Sequence, residues 1–333
     1  MGQIARMQRA AATAALLTVA LTGSLLAGCT SEAGRSDGRG ERSEQPSQNS
    51  VRTPATSAAP AAPAGPLLAV KIDNVSAARP QTGLDQADIV YAEQVEGGLS
   101  RLMAVFATKL PPVVGPVRSA RESDLELLRQ FHDPTLAFSG AQHKLLRLID
   151  KAPLTAEPPE NNSGAYFRGG GKIAPHNLFL RPRRLLPSAP GAAALTTGFR
   201  FGSAPSGGTP ENTRTVRFPS ARFTFTWSAQ RHRWLVSMDG TPTMTADGTR
   251  VAPATVVVQY VRVRASRFHD VLGNNSPYSQ TVGSGKAQVL RDGKAFDARW
   301  QRASAAGGTR FTTADGAPLN FAKGQVWVVL AKA

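Results

Sequence analysis

Arg118 and Arg121 stand three residues apart, just after Gly115-Pro116, where the chain takes on helical spacing. Leu125, Leu128 and Phe131 recur at i, i+3 and i+6, which predicts a helix over Ser123–Phe131. Ser119 with Glu122 three residues on has the form of a capping box. A helix start presents free N–H groups and partial positive charge to an anion. Two guanidinium groups beside it add two-point recognition of phosphate or carboxylate. Arg101, Ser119 and the pair His176-Asn177 are the groups able to complete such a pocket, provided the fold gathers them. The same residues also fit a structural network, with Arg118 and Arg121 paired to Asp73, Asp88, Glu93 or Glu96. The sequence leaves both readings open.

Other chemistry is poorly supported. His132, His143, His176, His232 and His269 are dispersed, and Cys29 is the single cysteine, so no zinc ligand set occurs at useful spacing. No metal and no cofactor are expected. No Gly-x-Ser-x-Gly elbow occurs. Gly169-Gly170-Gly171-Lys172 lacks the spacing and the Ser/Thr of a phosphate-binding loop and reads as a flexible loop. His176 suits a general base by type, although Pro175 and Asn177 suit a structural turn as well. Trp227, Trp234, Trp300 and Trp327 fall in expected strands and read as core.

The elements that must position these groups follow from periodicity and turn chemistry. Leu67–Ile72 is an apolar strand, and Ala87–Glu96 and Leu99–Thr108 read as a hairpin across Gly97-Gly98. Pro134 ends the helix, Thr135–Ser139 is a strand and Gln142–Asp150 a second helix. This order predicts a mixed α/β N-terminal domain over residues 67–190. Its last part, from Lys151, reads as loops with one short helix near Pro182–Leu186. Residues 198–333 hold strand candidates from Arg222–Trp227 to Gln325–Lys332, with Asp-Gly turns at Asp239, Asp247, Asp292 and Asp315. They predict a mainly antiparallel β C-terminal domain, so the chain as a whole is expected to be α+β.

The N-terminus points to a compartment. Arg6 and Arg9 precede an apolar stretch from Ala10 to Leu26, and no acidic residue occurs before Glu32. These are the parts of a secretory signal peptide over residues 1–28. Leu26-Ala27-Gly28-Cys29 resembles the cleavage site of bacterial lipoproteins, which implies a thioether-linked diacylglycerol on Cys29 and a cell-membrane anchor on the extracytoplasmic face. From 29 to 66 the chain is rich in Ser, Gly, Ala, Pro and charged residues, with Val51 its one large aliphatic, and is expected to be a disordered tether. Losing Arg6 and Arg9 with the signal peptide takes the formal charge from +16 to +14. Outside the membrane such a balance points to anionic lipid heads or phosphate-bearing wall polymers, not to nucleic acid.

Lys71-Ile72-Asp73-Asn74, Arg79-Pro80-Gln81-Thr82-Gly83, Gly115-Pro116-Val117-Arg118-Ser119-Ala120-Arg121, Ala174-Pro175-His176-Asn177 and, further on, Gly283-Ser284-Gly285-Lys286, Trp300 and Gly324-Gln325-Val326-Trp327 resemble the YerB-like lipoprotein family. Glu93 stands one place later than the acidic residue of that pattern. The resemblance runs from about Leu67 to Lys332. It implies a two-domain envelope lipoprotein with a domain of unknown function and its C-terminal companion, and it implies no catalytic residues. The expected role is therefore a membrane-anchored protein that binds an anionic envelope ligand or a protein partner. A hydrolase or transferase acting on a phosphate-containing envelope molecule is the alternative. The lack of a recognisable nucleophile and base favours the first.

Overall fold

The computed structural model describes residues 65–270 and 273–333. The expected signal peptide, Cys29 and the tether up to residue 64 lie outside the described residues. In chain order the elements are β1 (Leu68–Asp73), β2 (Ile89–Gln94), β3 (Ser100–Phe106), α1 (Glu122–Leu128), β4 (Thr135–Ala137), α2 (His143–Ile149) and β5 (Thr155–Glu157). After them come β6 (Tyr166–Arg168), β7 (Leu178–Leu180), β8 (Thr209–Pro210), β9 (Thr213–Phe218), β10 (Ala221–Ser228), β11 (Arg233–Met238) and β12 (Thr241–Pro242). The rest are β13 (Thr255–Val261), β14 (Val263–His269), β15 (Asn275–Ser279), β16 (Gly283–Arg291), β17 (Lys294–Arg302), β18 (Arg310–Thr312) and β19 (Val326–Lys332).

One 11-stranded mixed sheet runs in the order β18-β17-β16-β13-β19-β2-β3-β1-β4-β5, with β8 beside β17. β19 sits between β13 and β2, parallel to both, and so joins residues 67–190 to residues 198–333 in a single sheet. Its sequence, Val-Trp-Val-Val-Leu-Ala, is apolar without alternation, as a strand covered on both faces requires. One face of β1, β2, β13 and β19 presents Val70, Ile72, Val90, Ala92, Val256, Val258, Trp327 and Val329 to the antiparallel sheet β12-β11-β10-β9, which contributes Phe223, Phe225, Trp234 and Val236. The other face presents Ala69, Ile89, Tyr91, Val257, Val328 and Leu330 to α1 and α2 through Leu127, Leu128, Leu145 and Ile149. Each fully buried aliphatic side chain contributes about 2 kcal/mol.

The helical share is smaller than the sequence suggests. Each α-helix has seven residues, and strands dominate both halves. The α/β character of the N-terminal half is confined to β1, β4 and β5, which run parallel, with α2 crossing between the last two. The helix after Arg118 begins at Glu122 with Arg121, not Ser119, at its N-cap position. The backbone at Arg121 is still extended (φ −128°, ψ 164°), and the Asp124 carboxylate accepts its N–H at 2.6 Å. Ser119 lies two residues before that position, with its hydroxyl 3.5 Å from Ser139 Oγ and its carbonyl accepting from Arg101.

Gly98 shows why the β2–β3 turn is glycine. It lies at φ +70°, and a Cβ there would stand 2.5 Å from Pro219 Cβ.

Candidate functional site

Strand alternation continues past the apolar part of the α1 face and turns charged. Across β2, β3 and β1, Tyr91, Met103 and Lys71 share one row, and Glu93, Arg101 and Asp73 share the next. Lys71 is completely buried and pairs with Glu93 and, at 2.8 Å, with Asp124 at the start of α1. Burial lowers its ammonium pKa to about 8, against the opposing pull of Asp124. Ser123 Oγ donates to the second oxygen of Glu93 at 2.9 Å. The carboxylate of Asp73 is 1% exposed, forms an ion pair with Arg118 Nε at 3.2 Å and accepts a hydrogen bond from His176 Nδ1 at 2.8 Å.

Both carboxylates that flank Arg101 in register are thus committed to other cations. Among the described residues no carboxylate lies within ion-pair distance of Arg101, and its side chain makes one hydrogen bond, Nη1 to Ser119 O at 3.0 Å. Burial, followed by the nearby charge of Arg121, pushes its pKa down to about 9, with Glu96 opposing. Arg302, which unlike the half-buried Arg101 is fully buried, differs in kind: its nitrogens are taken up by Thr281 Oγ1 and by the carbonyls of Glu126, Ala305 and Gly307.

Arg121 is fully engaged. Its Nε and Nη2 each donate to Glu96 at 2.6 Å, and Nη1 donates to Ala120 O at 2.9 Å. Ser276 also donates to Glu96. Burial raises the Glu96 pKa, and the hydrogen bonds and charge of Arg121 together with Ser276 outweigh it, so the group sits below the ordinary glutamate value. Arg118 gives only Nε to Asp73, and its Nη groups have no protein partner among the described residues.

These groups line a cleft of about 760 Å³. Arg101, Arg118, Ser119 and Arg121 lie in it, together with Glu96, Ser139 and Leu99. His176 and Asn177 do not line it. His176 reaches the cluster only through Asp73, and Asn177 Oδ1 accepts from Arg168 at 2.7 Å. The expected pairings of Arg118 with Asp73 and Arg121 with Glu96 are present, whereas Asp88 instead accepts the N–H groups of Ala107 and Thr108. Lys71 and Asp124 were not singled out from sequence. The available signal was a lysine in the middle of an otherwise apolar strand, Leu-Ala-Val-Lys-Ile-Asp. Among the described residues no cluster of His, Cys, Asp and Glu has the form of a metal site, and no helix is long and apolar enough to cross a membrane.

Two family profiles match this chain in order: the N-terminal domain of "Protein of unknown function (DUF3048)" over residues 53–195 and its C-terminal domain over residues 214–328. The chain belongs to the YerB-like family. The crystal structure of YerB protein from Bacillus subtilis superposes with a TM-score of 0.67 at 21% identity, covering 80% of this chain and 91% of that one. A Bacillus subtilis (strain 168) protein named "Putative lipoprotein YerB" is 47% identical over 64 residues, which span 19% of this chain and 19% of that protein. In YerB-like terms the cleft draws on both family domains. Its arginines come from the first, and the wall carrying Phe268 and Ser276 comes from the second.

Proposed function

We propose that this chain is a lipoprotein held to the outer face of the cell membrane through Cys29, and that its cleft binds a phosphate-bearing anionic ligand of the envelope. The anchoring rests on Leu26-Ala27-Gly28-Cys29 and on the 64-residue likeness to a protein named as a lipoprotein. The ligand class rests on one observation: Arg101 lines the cleft without a carboxylate partner, beside the free Nη groups of Arg118. A phosphate there would accept two-point hydrogen bonds from both guanidinium groups and relieve the charge that burial makes costly. The direct test is calorimetric titration of the full chain in detergent with inorganic pyrophosphate and with a polyglycerol phosphate. Arg101→Met and Arg118→Met should each weaken binding about tenfold or more, a loss of about 1.4 kcal/mol. Binding that survives both substitutions rules the cleft out.

The Asp73–His176 pair favours a second reading, a hydrolase or transferase acting on a phosphate ester. A buried aspartate fixes the imidazole tautomer and leaves Nε2 available as a base. Hydrolysis of bis-p-nitrophenyl phosphate that disappears in His176→Gln would support it. No turnover above a buffer control counts against it.

A further inference from the structure

Strand alternation does not end at the charged row of Glu93, Arg101 and Asp73. Val95 and Leu99 are both extended, with ψ of −172° and −179°, and Val95 N–H donates to Leu99 O at 2.9 Å. The pairing of β2 with β3 thus runs on past Gln94↔Ser100 to set Val95 opposite Leu99. Counting in twos from Glu93 and Arg101 puts both side chains on the α1 face. Val75 follows two residues after Asp73, and all three apolar side chains line the arginine cleft. Beyond its charged row the face therefore turns apolar again.

The inner rows are covered by the start of α1, where Asp124 reaches Lys71 and Ser123 reaches Glu93. Over the outer row the cover is incomplete: Val95 is buried, Val75 is half-buried and Leu99 is 39% exposed. A lone exposed leucine means little. This one stands two residues from Arg101 on one face of one strand, so the cleft has an amphipathic floor. Its volume of about 760 Å³ lies within the roughly 300–1,000 Å³ of pockets that take whole organic molecules, far more than a phosphate ion fills.

We propose that the ligand of the cleft is a phosphate or pyrophosphate monoester of a long-chain alcohol, with its anionic end on Arg101 and Arg118 and the first carbons of its chain over Leu99 and Val75. This rests on the phosphate reading of the cleft and adds the apolar half of the ligand. Rows two residues apart along a strand are separated by about 6.7 Å, a length that a hexyl chain spans. The terminal phosphate of a monoester keeps three unesterified oxygens, enough for two-point contact with one guanidinium and a further bond to the other. A bare phosphate leaves Leu99 facing water, and a wholly apolar chain leaves Arg101 without a counter-charge. The amphiphile satisfies both rows at once.

The test titrates the full chain with inorganic phosphate, ethyl phosphate and hexyl phosphate, at one detergent concentration so that uptake by micelles is common to all variants. Hexyl phosphate should bind about tenfold or more tighter than ethyl phosphate, because four further methylenes leave water. Leu99→Asn should bring that ratio close to one. Should Leu99→Asn melt early, Val75→Thr, which keeps the side-chain shape, serves as the second variant and should lower the ratio about threefold. Arg101→Met should weaken both esters and keep their ratio. Equal affinity for ethyl and hexyl phosphate in the parent overturns the amphiphile and leaves the phosphate site standing. A ratio that persists in both Leu99→Asn and Val75→Thr also overturns it, since the chain then lies elsewhere. Equal or tighter binding of methyl hexyl phosphate, a diester with the same chain, overturns the monoester and points to a phospholipid head. Failure of all three phosphates to bind removes the phosphate reading and this inference with it.

Discussion

Arg121 and Glu96 form a two-point ion pair, with Nε–Oε1 and Nη2–Oε2 both at 2.6 Å, across the rim of the cleft. The pair ties the start of α1 to the turn between β2 and β3, and Ser276 ties the same carboxylate to β15. Arg121→Met would leave Glu96 buried beside one hydroxyl. We expect a loss of about 3 kcal/mol in chemical denaturation. Adding Glu96→Gln should recover part of that loss, because the pair, not either residue alone, is what the fold needs.

The same pair sets a pH dependence. Glu96 is held below its ordinary value of 4.5, so its contribution to stability is complete above that pH and is lost as pH falls through the lower folded-state value. In Arg121→Met the contribution is already gone. The acid-unfolding midpoint, followed by tryptophan fluorescence, should therefore move to higher pH. An unchanged midpoint would mean that other carboxylates control acid unfolding.

Arg101 should behave in the opposite way. It has no carboxylate partner, and replacing a poorly compensated, half-buried cation with an apolar side chain of similar length costs little. Arg101→Met is expected to stay within about 1 kcal/mol of the parent in a melting experiment while losing anion binding. A large drop in melting temperature would assign Arg101 to the structural network.

Glu126 offers a separate test of how the two family domains are held together. Its Oε1 accepts the N–H groups of Thr281 and Val282 and the Thr281 hydroxyl, at 2.7, 3.1 and 3.0 Å, and its Oε2 accepts Tyr278 Oη at 2.6 Å. Glu126→Ala strands these donors at a contact between α1 and the β15–β16 connection. The expected cost is about 3 kcal/mol. Faster amide exchange at Thr281 and Val282 is its local signature.

At Gly285 the chain tolerates no side chain without displacing Trp300 or the Tyr260 carbonyl. Gly285→Ala should cost about 1–3 kcal/mol and shift Trp300 emission to the red as the indole moves.

The local elements were largely legible. β2 and β3 announce themselves by apolar runs across Gly97-Gly98, and β16 and β17 by the Asp292-Gly293 turn, where both residues have positive φ. The partnership of β19 with β2 was not legible. Periodicity identifies a strand but not its neighbour, and Val326 pairs with Ile89 from the far side of the sequence. The cleft was legible in the same partial way. Arg118 and Arg121 stood out by spacing, and Asp73 and Glu96 were among their candidate partners. That Asp73 would also take His176, 103 residues away, depended on the fold. The isolation of Arg101 depended on which cations its two neighbouring carboxylates chose, and only side-chain packing decides that.

The place of β19 carries a consequence for biosynthesis. A ribosome delivers β2 and β13 well before the strand that separates them. Until β19 arrives, the nascent body holds two part-sheets with bare inner edges, β2 on one and β13 on the other, each a template for mispairing. Closure depends on the strand made last among the three, so chaperone protection during synthesis should matter more here than for a sheet assembled from neighbouring hairpins.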